Sequence, residues 1–303
     1  FPYTTLFRST NDKPLFSVLM ANYNNARYIV EAINSIRQQT YSNWEIIIVD
    51  DASTDDSLEI LQAFADEPRI NVFSNATNLG CGATKRRAAE LANGAIAGYL
   101  DPDDALYPEA LEVMVNAHLE HPRKSLIYSI AYFCDEQMNP TFLLNWVGPI
   151  PRGKSNLHVS KAGPFATFKM EHYCQTDGIN PRLLRGVDQD LYYRLEEVGE
   201  TLYIDRPLYL YRVHVGGIST LQNKIKAKRW VFYAKKEAYL RRQKQPSLAP
   251  NLSFWRLFWD YRHMQYKTIR EAVLRGEWSK IWAPLRKFFF TPNQYLINYP
   301  PPE

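Results

Sequence analysis

From Pro14 onward, short apolar runs alternate with stretches of helical periodicity. Phe16 to Met20 is apolar and leads into the polar turn Asn22 to Asn25. Tyr28, Ile29, Ala32, Ile33 and Ile36 then recur at the three- and four-residue spacing of an amphipathic helix. Trp44 to Val49 (WEIIIV) is a continuous isoleucine-rich run, as expected of a strand buried on both faces. It ends at Asp50-Asp51. A helix is predicted from about Asp55, with Leu58, Leu61 and Phe64 on one face and Ser53, Thr54 and Asp55 suited to cap it. Ile70 to Phe73 and Ile96 to Leu100 read as further strands, and Gly82 to Asn93 as the helix between them.

Strand–helix alternation of this kind predicts an α/β fold, a mostly parallel sheet flanked by helices. Leu126 to Phe133, Thr201 to Asp205 and Leu208 to Val213 read as later strands, and Asp188 to Val198 as a helix. Residues 134–180, rich in Pro, Gly and Asn, read as an irregular insertion. After Gly216-Gly217 the pattern changes to Lys and Arg interleaved with Trp, Tyr and Phe at helical spacing. The expected organisation is a tail over 1–13, disordered or left from cloning, a main domain over 14–216 and a helical extension over 217–303.

Ligands of open parallel sheets bind at the carboxyl ends of the strands. Here those ends carry Ala21-Asn22-Tyr23, Asp50-Asp51 and Asp101-Pro102-Asp103-Asp104, so two acidic clusters should face one crevice. Carboxylates gathered in a cleft repel one another unless a cation or a hydrogen-bond donor compensates them. Hard oxygen ligands suit magnesium or manganese, completed by substrate phosphates. Taken singly, each cluster reads equally as an Asp-rich turn or a helix cap, and Asp55-Asp56 is read as a cap.

In order and spacing these segments resemble the family-two glycosyltransferases, which have the GT-A fold. The resemblance covers residues 14 to about 220. It rests on Phe16 to Asn24, Gln38 to Tyr41, Trp44 to Asp55, Asn78-Leu79-Gly80, Gly94 and the Asp-x-Asp of Leu100 to Asp104. It implies an inverting, metal-dependent transfer of a sugar from a nucleotide diphosphate-sugar, with Mn2+ or Mg2+ as cofactor. Ala21, Tyr23 and Asp51 would surround the nucleotide base, Lys85 would lie near base and diphosphate, Asp101 with Pro102 would hold the ribose, and Asp103 the metal. Arg86 stands where the family usually has asparagine.

Gly186 to Leu195 (GVDQDLYYRL) resembles the family's catalytic-helix motif, with Val187 in place of the usual Glu. Asp188 would be the base that takes the acceptor's proton, work worth ~10²- to 10⁴-fold in rate; its position also suits a helix cap. Asp190 would contact acceptor or be solvated. Tyr211-Arg212-Val213-His214 with Ser219 resembles the Tyr-Arg-x-His motif, placing Arg212 on phosphate and His214 by the metal or diphosphate. Tyr23 could equally be a packed aromatic, and Lys85 to Arg87 a solvated helix face. His118, His121, His158, His172 and His263 are given no role.

The remaining properties set limits. At 303 residues and 46% hydrophobic the chain can bury a sizeable core, and a formal charge of +4 is only mildly basic. Cys81, Cys134 and Cys174 form neither a zinc pattern nor a disulfide framework, and no apolar run approaches a membrane span. The expected location is the cytoplasm, with peripheral contact at the inner membrane face through the C-terminal helices. Those helices could lie on an anionic surface or cover the acceptor site; packing of their aromatic residues on the domain is favoured. Lys226-Ala227-Lys228-Arg229-Trp230 narrowly misses the Gln-x-x-Arg-Trp of processive members, so a single sugar is expected to be moved. The partners are a nucleotide-sugar, most often a UDP-sugar, and a glycan or lipid-linked hydroxyl acceptor, with no nucleic acid, in cell-surface polysaccharide or glycoconjugate synthesis. A sugar nucleotidyltransferase and a non-catalytic sugar-nucleotide-binding protein are the alternatives. The first lacks its Gly-rich phosphate loop at Tyr23 to Ala26, and the second has no use for Asp188.

Overall fold

The structure, a computed structural model, describes residues 13–64, 66–217, 223–245, 253–290 and 296–302. All but Lys13 of the expected N-terminal tail, and Ser219 of the Tyr-Arg-x-His motif, lie outside the described residues, as do the side chains of Phe289 and Phe290.

The first half follows the predicted alternation: β1 (Phe16–Asn22), α1 (Ile29–Arg37), β2 (Trp44–Asp50), α2 (Ser57–Gln62), β3 (Ile70–Ser74), α3 (Cys81–Glu90) and β4 (Ile96–Tyr99). Then come β5 (Ala105–Leu106), α4 (Ala110–Glu120), β6 (Lys124–Cys134), β7 (Pro140–Leu143), α5 (Asn156–Val159), β8 (Ala166–Lys169), α6 (Met170–Tyr173), α7 (Val187–Val198) and β9 (Glu200–Arg212). Two long helices, α8 (Lys224–Gln243) and α9 (Phe254–Leu274), and a shorter one, α10 (Trp282–Phe290), follow.

One sheet runs in the order β3-β2-β1-β4-β8-β6-β9-β5, with β7 paired to β6. β1 is parallel to β2 and β4, and β2 to β3. Beyond β4 the sheet is mixed: β8 runs antiparallel to both β4 and β6, and β9 is parallel to β6 but antiparallel to β5. Every residue of β2 is buried, as its unbroken apolar run requires. At ~1.5–3 kcal/mol per fully buried aliphatic side chain, Ile46, Ile47 and Ile48 anchor the centre of the core.

Two expectations are refined. The stretch expected to be irregular contains β7 and β8, and β8 joins the two halves of the sheet. The two strands expected between Thr201 and Val213 are one continuous strand, β9.

The C-terminal helices share the main core: Trp230, Phe232, Tyr239, Leu257 and Tyr261 belong to the same buried cluster as the sheet. Arg242, 4% exposed, binds Glu196, Glu197 and the Tyr193 carbonyl, pinning α8 to α7. The packing expected of the aromatic residues therefore holds for these, but Trp255, Trp259, Trp278 and Trp282 are all more than 60% exposed. Among the described residues, no helix is long and apolar enough to cross a membrane.

Candidate active site

The sheet register places the site. Asn22 at the end of β1 is level with Asp50 at the end of β2, and the Asp51 amide donates to the Asn22 carbonyl at 2.8 Å. The two acids then separate in role. Asp50, fully buried, accepts from Asn22 Nδ2, Ser53 N and Ser53 Oγ, and so shapes its own turn. Asp55 accepts from the amides of Ser57 and Ala26, while the N-cap residue of α2 is Asp56, whose side chain makes no capping bond.

Asp51 faces the cleft. Its Oδ1 accepts from Asn75 Nδ2 and the Leu79 amide, and its Oδ2 from the Gly80 amide at 2.8 Å. Gly80 has φ +87°, a region L side chains rarely adopt, so glycine is what lets the chain turn its amide onto Asp51. A carboxylate offers about four acceptor positions, so one on Oδ2 is left for a ligand.

The second acidic cluster follows β4. Asp101 and Asp188 flank one ammonium: Lys85 Nζ is 2.9 Å from Asp101 Oδ1 and 2.8 Å from Asp188 Oδ1. Lys85 is only 4% exposed and lies over the Tyr99 ring. Burial opposes its charge, but the two carboxylates outweigh burial and hold its pKa well above the ordinary lysine value. Its neighbours turn elsewhere: Arg86 binds Glu90 and the Asp177 and Ile179 carbonyls, and Arg87 binds Ser74 and Asn75. Lys85 is thus no part of a solvated face.

Asp103 Oδ2 meets His214 Nε2 at 2.8 Å, and the His214 ring stacks edge-on against Tyr28 at 4.9 Å. Asp104 turns inward, accepting from Tyr209 Oη and the Arg212 amide. Among the described residues, no group of three or more His, Cys, Asp or Glu could hold a metal by itself. An oxygen and an imidazole nitrogen nonetheless fit Mn2+ or Mg2+ held by few protein ligands, with substrate phosphates completing the shell.

Ala21, Tyr23, Asp51, Lys85, Asp101, Pro102, Asp103, Asp188, Arg212 and His214 all line one cleft of about 1550 Å³. Six segments far apart in sequence therefore converge, as the strand-end argument requires. Two expected roles do not match the geometry. Asp190 is 1% exposed and faces away from the cleft, paired with Arg194 at 2.8 Å and Arg241 at 3.4 Å, so it is neither solvated nor placed to touch acceptor. Arg212 is committed to protein acceptors: Nε donates to the Asp103 carbonyl, Nη1 to the Glu136 carbonyl and Nη2 to Glu31. Its guanidinium braces the acidic loop, with three of its five N–H donors spent on protein oxygens.

Other cleft residues escaped the sequence reading. Arg185 lines the cleft with its Nη1 buried and without a partner among the described residues. The one available signal was a cation three residues before Asp188. Tyr28 was assigned only to a helix face. Lys224, Lys228, Lys235, His263 and Lys267 come from α8 and α9, where only Lys228 fell within a motif, at a variable position of the near miss to Gln-x-x-Arg-Trp. Gly186 explains how α8 reaches the site: at φ +64°, a Cβ there would lie 3.1–3.2 Å from Val231, so α8 lies directly on the turn that opens α7.

Residues 17–172 match the profile of glycosyl transferase family 2. Chondroitin synthase from Escherichia coli is 33% identical over 202 residues, 65% of this chain but only 28% of that protein. Hyaluronan synthase from Pasteurella multocida is 29% identical over 205 residues, 66% of this chain and 20% of that protein. The chain thus spans less than a third of either synthase. Among solved structures, S. aureus TarS 1–349 superposes with TM-score 0.56 at 17% identity, covering 90% of this chain and 89% of that one. The mannosyltransferase PcManGT from Pyrobaculum calidifontis, in complex with GDP-Man and Mn2+, gives 0.57 at 16% identity, with 95% and 86% covered. These likenesses give the GT-A fold; with a profile match over half its length, the chain belongs to glycosyl transferase family 2.

Proposed function

We propose that this glycosyltransferase moves a single sugar, with inversion, from a nucleotide diphosphate-sugar to a hydroxyl of a glycan or lipid-linked acceptor in polysaccharide or glycoconjugate synthesis. The observation that carries the reading is the common cleft: Asp51, Asp101, Asp103, His214 and Asp188 open onto one space. Asp51 receives the base, alongside Ala21 and Tyr23, and Asp101 with Pro102 the ribose. A UDP donor is favoured, in line with TarS having been solved with UDP-GlcNAc. PcManGT, solved with GDP-Man and Mn2+, keeps GDP donors in the screen.

Asp103 and His214 would hold Mn2+ or Mg2+, which when bound neutralises the diphosphate charge. Arg185, with an unpartnered buried nitrogen, takes the diphosphate role first expected of Arg212. Asp188 accepts the proton of the attacking hydroxyl. Lys85, already on that carboxylate, orients it. Lys226 stands where processive members have Gln, in keeping with transfer of one sugar.

A donor screen tests this reading. UDP-, GDP- and dTDP-sugars are incubated with and without Mn2+, and nucleotide diphosphate release is measured. Metal-dependent release from one donor, lost in Asp188→Asn, is expected. No release and no binding of any nucleotide would overturn the assignment.

A further inference from the structure

The part of the cleft lined by α8 and α9 is basic. Lys224, Lys228, Val231 and Lys235 on α8, at i, i+4, i+7 and i+11, all line it, which is one stripe of a helix. From α9, Asp260, His263, Met264 and Lys267 line it at i, i+3, i+4 and i+7. One lysine is neutralised, since Lys235 pairs with Asp260 at 2.6 Å. Lys224, Lys228 and Lys267 have no hydrogen-bond or ion-pair partner among the described residues.

These lysines sit close enough to repel. Burial first, then Lys267 and Lys224, holds Lys228 below the ordinary lysine pKa, with only Glu271 opposing. His263 is lowered by burial and then by Lys267 and Lys228, with Asp260 opposing, which favours its neutral form. A cluster of unpaired cations that lines a cavity is a standing attraction for an anion.

The stripe also has a place relative to the chemistry. Val231 contacts Gly186, two residues before Asp188, and Lys228 lies one helical turn from Val231. A hydroxyl presented to Asp188 therefore shares its cleft with Lys228 and Lys267.

We propose that this face of α8 and α9 is an acceptor subsite for an anionic saccharide, one that carries carboxylate or sulfate groups close to the accepting hydroxyl. This inference rests on the glycosyltransferase reading and names its acceptor class.

Calorimetric titration of the full chain with a galacturonate hexamer, a sulfated hexamer and neutral maltohexaose tests it, with UDP and GDP titrated in parallel. At least one anionic hexamer should bind tenfold or more tighter than maltohexaose and weaken as salt rises. Lys228→Gln/Lys267→Gln should lose that advantage while nucleotide affinity and Tm stay unchanged, and Lys228→Arg/Lys267→Arg should restore it. Equal affinity for neutral and anionic hexamers overturns the proposal, as does an anionic preference that the Gln variant keeps. Binding to phosphatidylglycerol vesicles without binding to either anionic hexamer also overturns it, pointing to a lipid surface. Failure of the hexamers with nucleotide binding intact removes only the acceptor class; failure of the nucleotides removes the transferase reading itself.

Discussion

The Lys85 ammonium lies 2.8 Å from the carboxylate of Asp188, the proposed base, and 2.9 Å from that of Asp101, the proposed ribose ligand. One buried cation thus links the two halves of the cleft.

Asp188→Asn keeps an oxygen that can accept from Lys85 and removes only the basicity. Donor dissociation constants are expected to change by less than about threefold, while kcat falls by ~10²- to 10⁴-fold. Direct donor binding beside steady-state turnover checks this. Full turnover in the variant would end the case for Asp188 as base.

Chelation should stop transfer, and added Mn2+ should restore it in the wild type. In Asp103→Ala the partner of His214 is gone. Restoration should then need at least tenfold more Mn2+, with weaker donor binding. A metal titration of initial rates reads both effects.

Asp190→Ala is expected to act on stability and leave the chemistry alone. It strips Arg194 and Arg241 of a buried carboxylate, and breaking such a pair costs ~3–5 kcal/mol. Thermal unfolding should drop by about 6 °C or more. Donor affinity at low temperature should be unchanged, in contrast to Asp103→Ala.

His118 supplies a pH dependence remote from the site. Burial, reinforced by Lys169 and His172, pulls its pKa down to about 3, and its Nε2 meets Thr167 Oγ1 at 3.0 Å. The native imidazole stays neutral while the unfolded one titrates near 6.5. Its contribution is therefore present in full above about pH 6.5 and is lost as pH falls toward about 3. Between pH 7.5 and 5, denaturant titrations should show a loss that shrinks by about 2 kcal/mol in His118→Gln.

The donor half was legible because parallel strands buried on both faces write themselves as unbroken apolar runs. WEIIIV announced β2, and the polar residues after each run marked the cleft rim. β8 was missed because four residues, Ala166–Lys169, are too short for any periodicity to show. Arg212 and Asp190 were placed in the right motifs but given the wrong contacts. Their partners Glu31, Glu136 and Arg241 come from distant segments, and only the fold brings them together. The lysines of α8 were visible as residues, but nothing in a helical repeat says which face will look into a cavity.

The contact between Gly186 and Val231 has a consequence for how this enzyme can change. Most of the proposed donor surface lies in residues 16–104, with Arg185 and His214 added from later in the chain, and the proposed acceptor subsite lies in 224–267. On the proposed division, charge on α8 and α9 can be exchanged without touching the strands of the donor side. A shift in what is glycosylated would then require only a few codons in two helices, while what is donated stays the same.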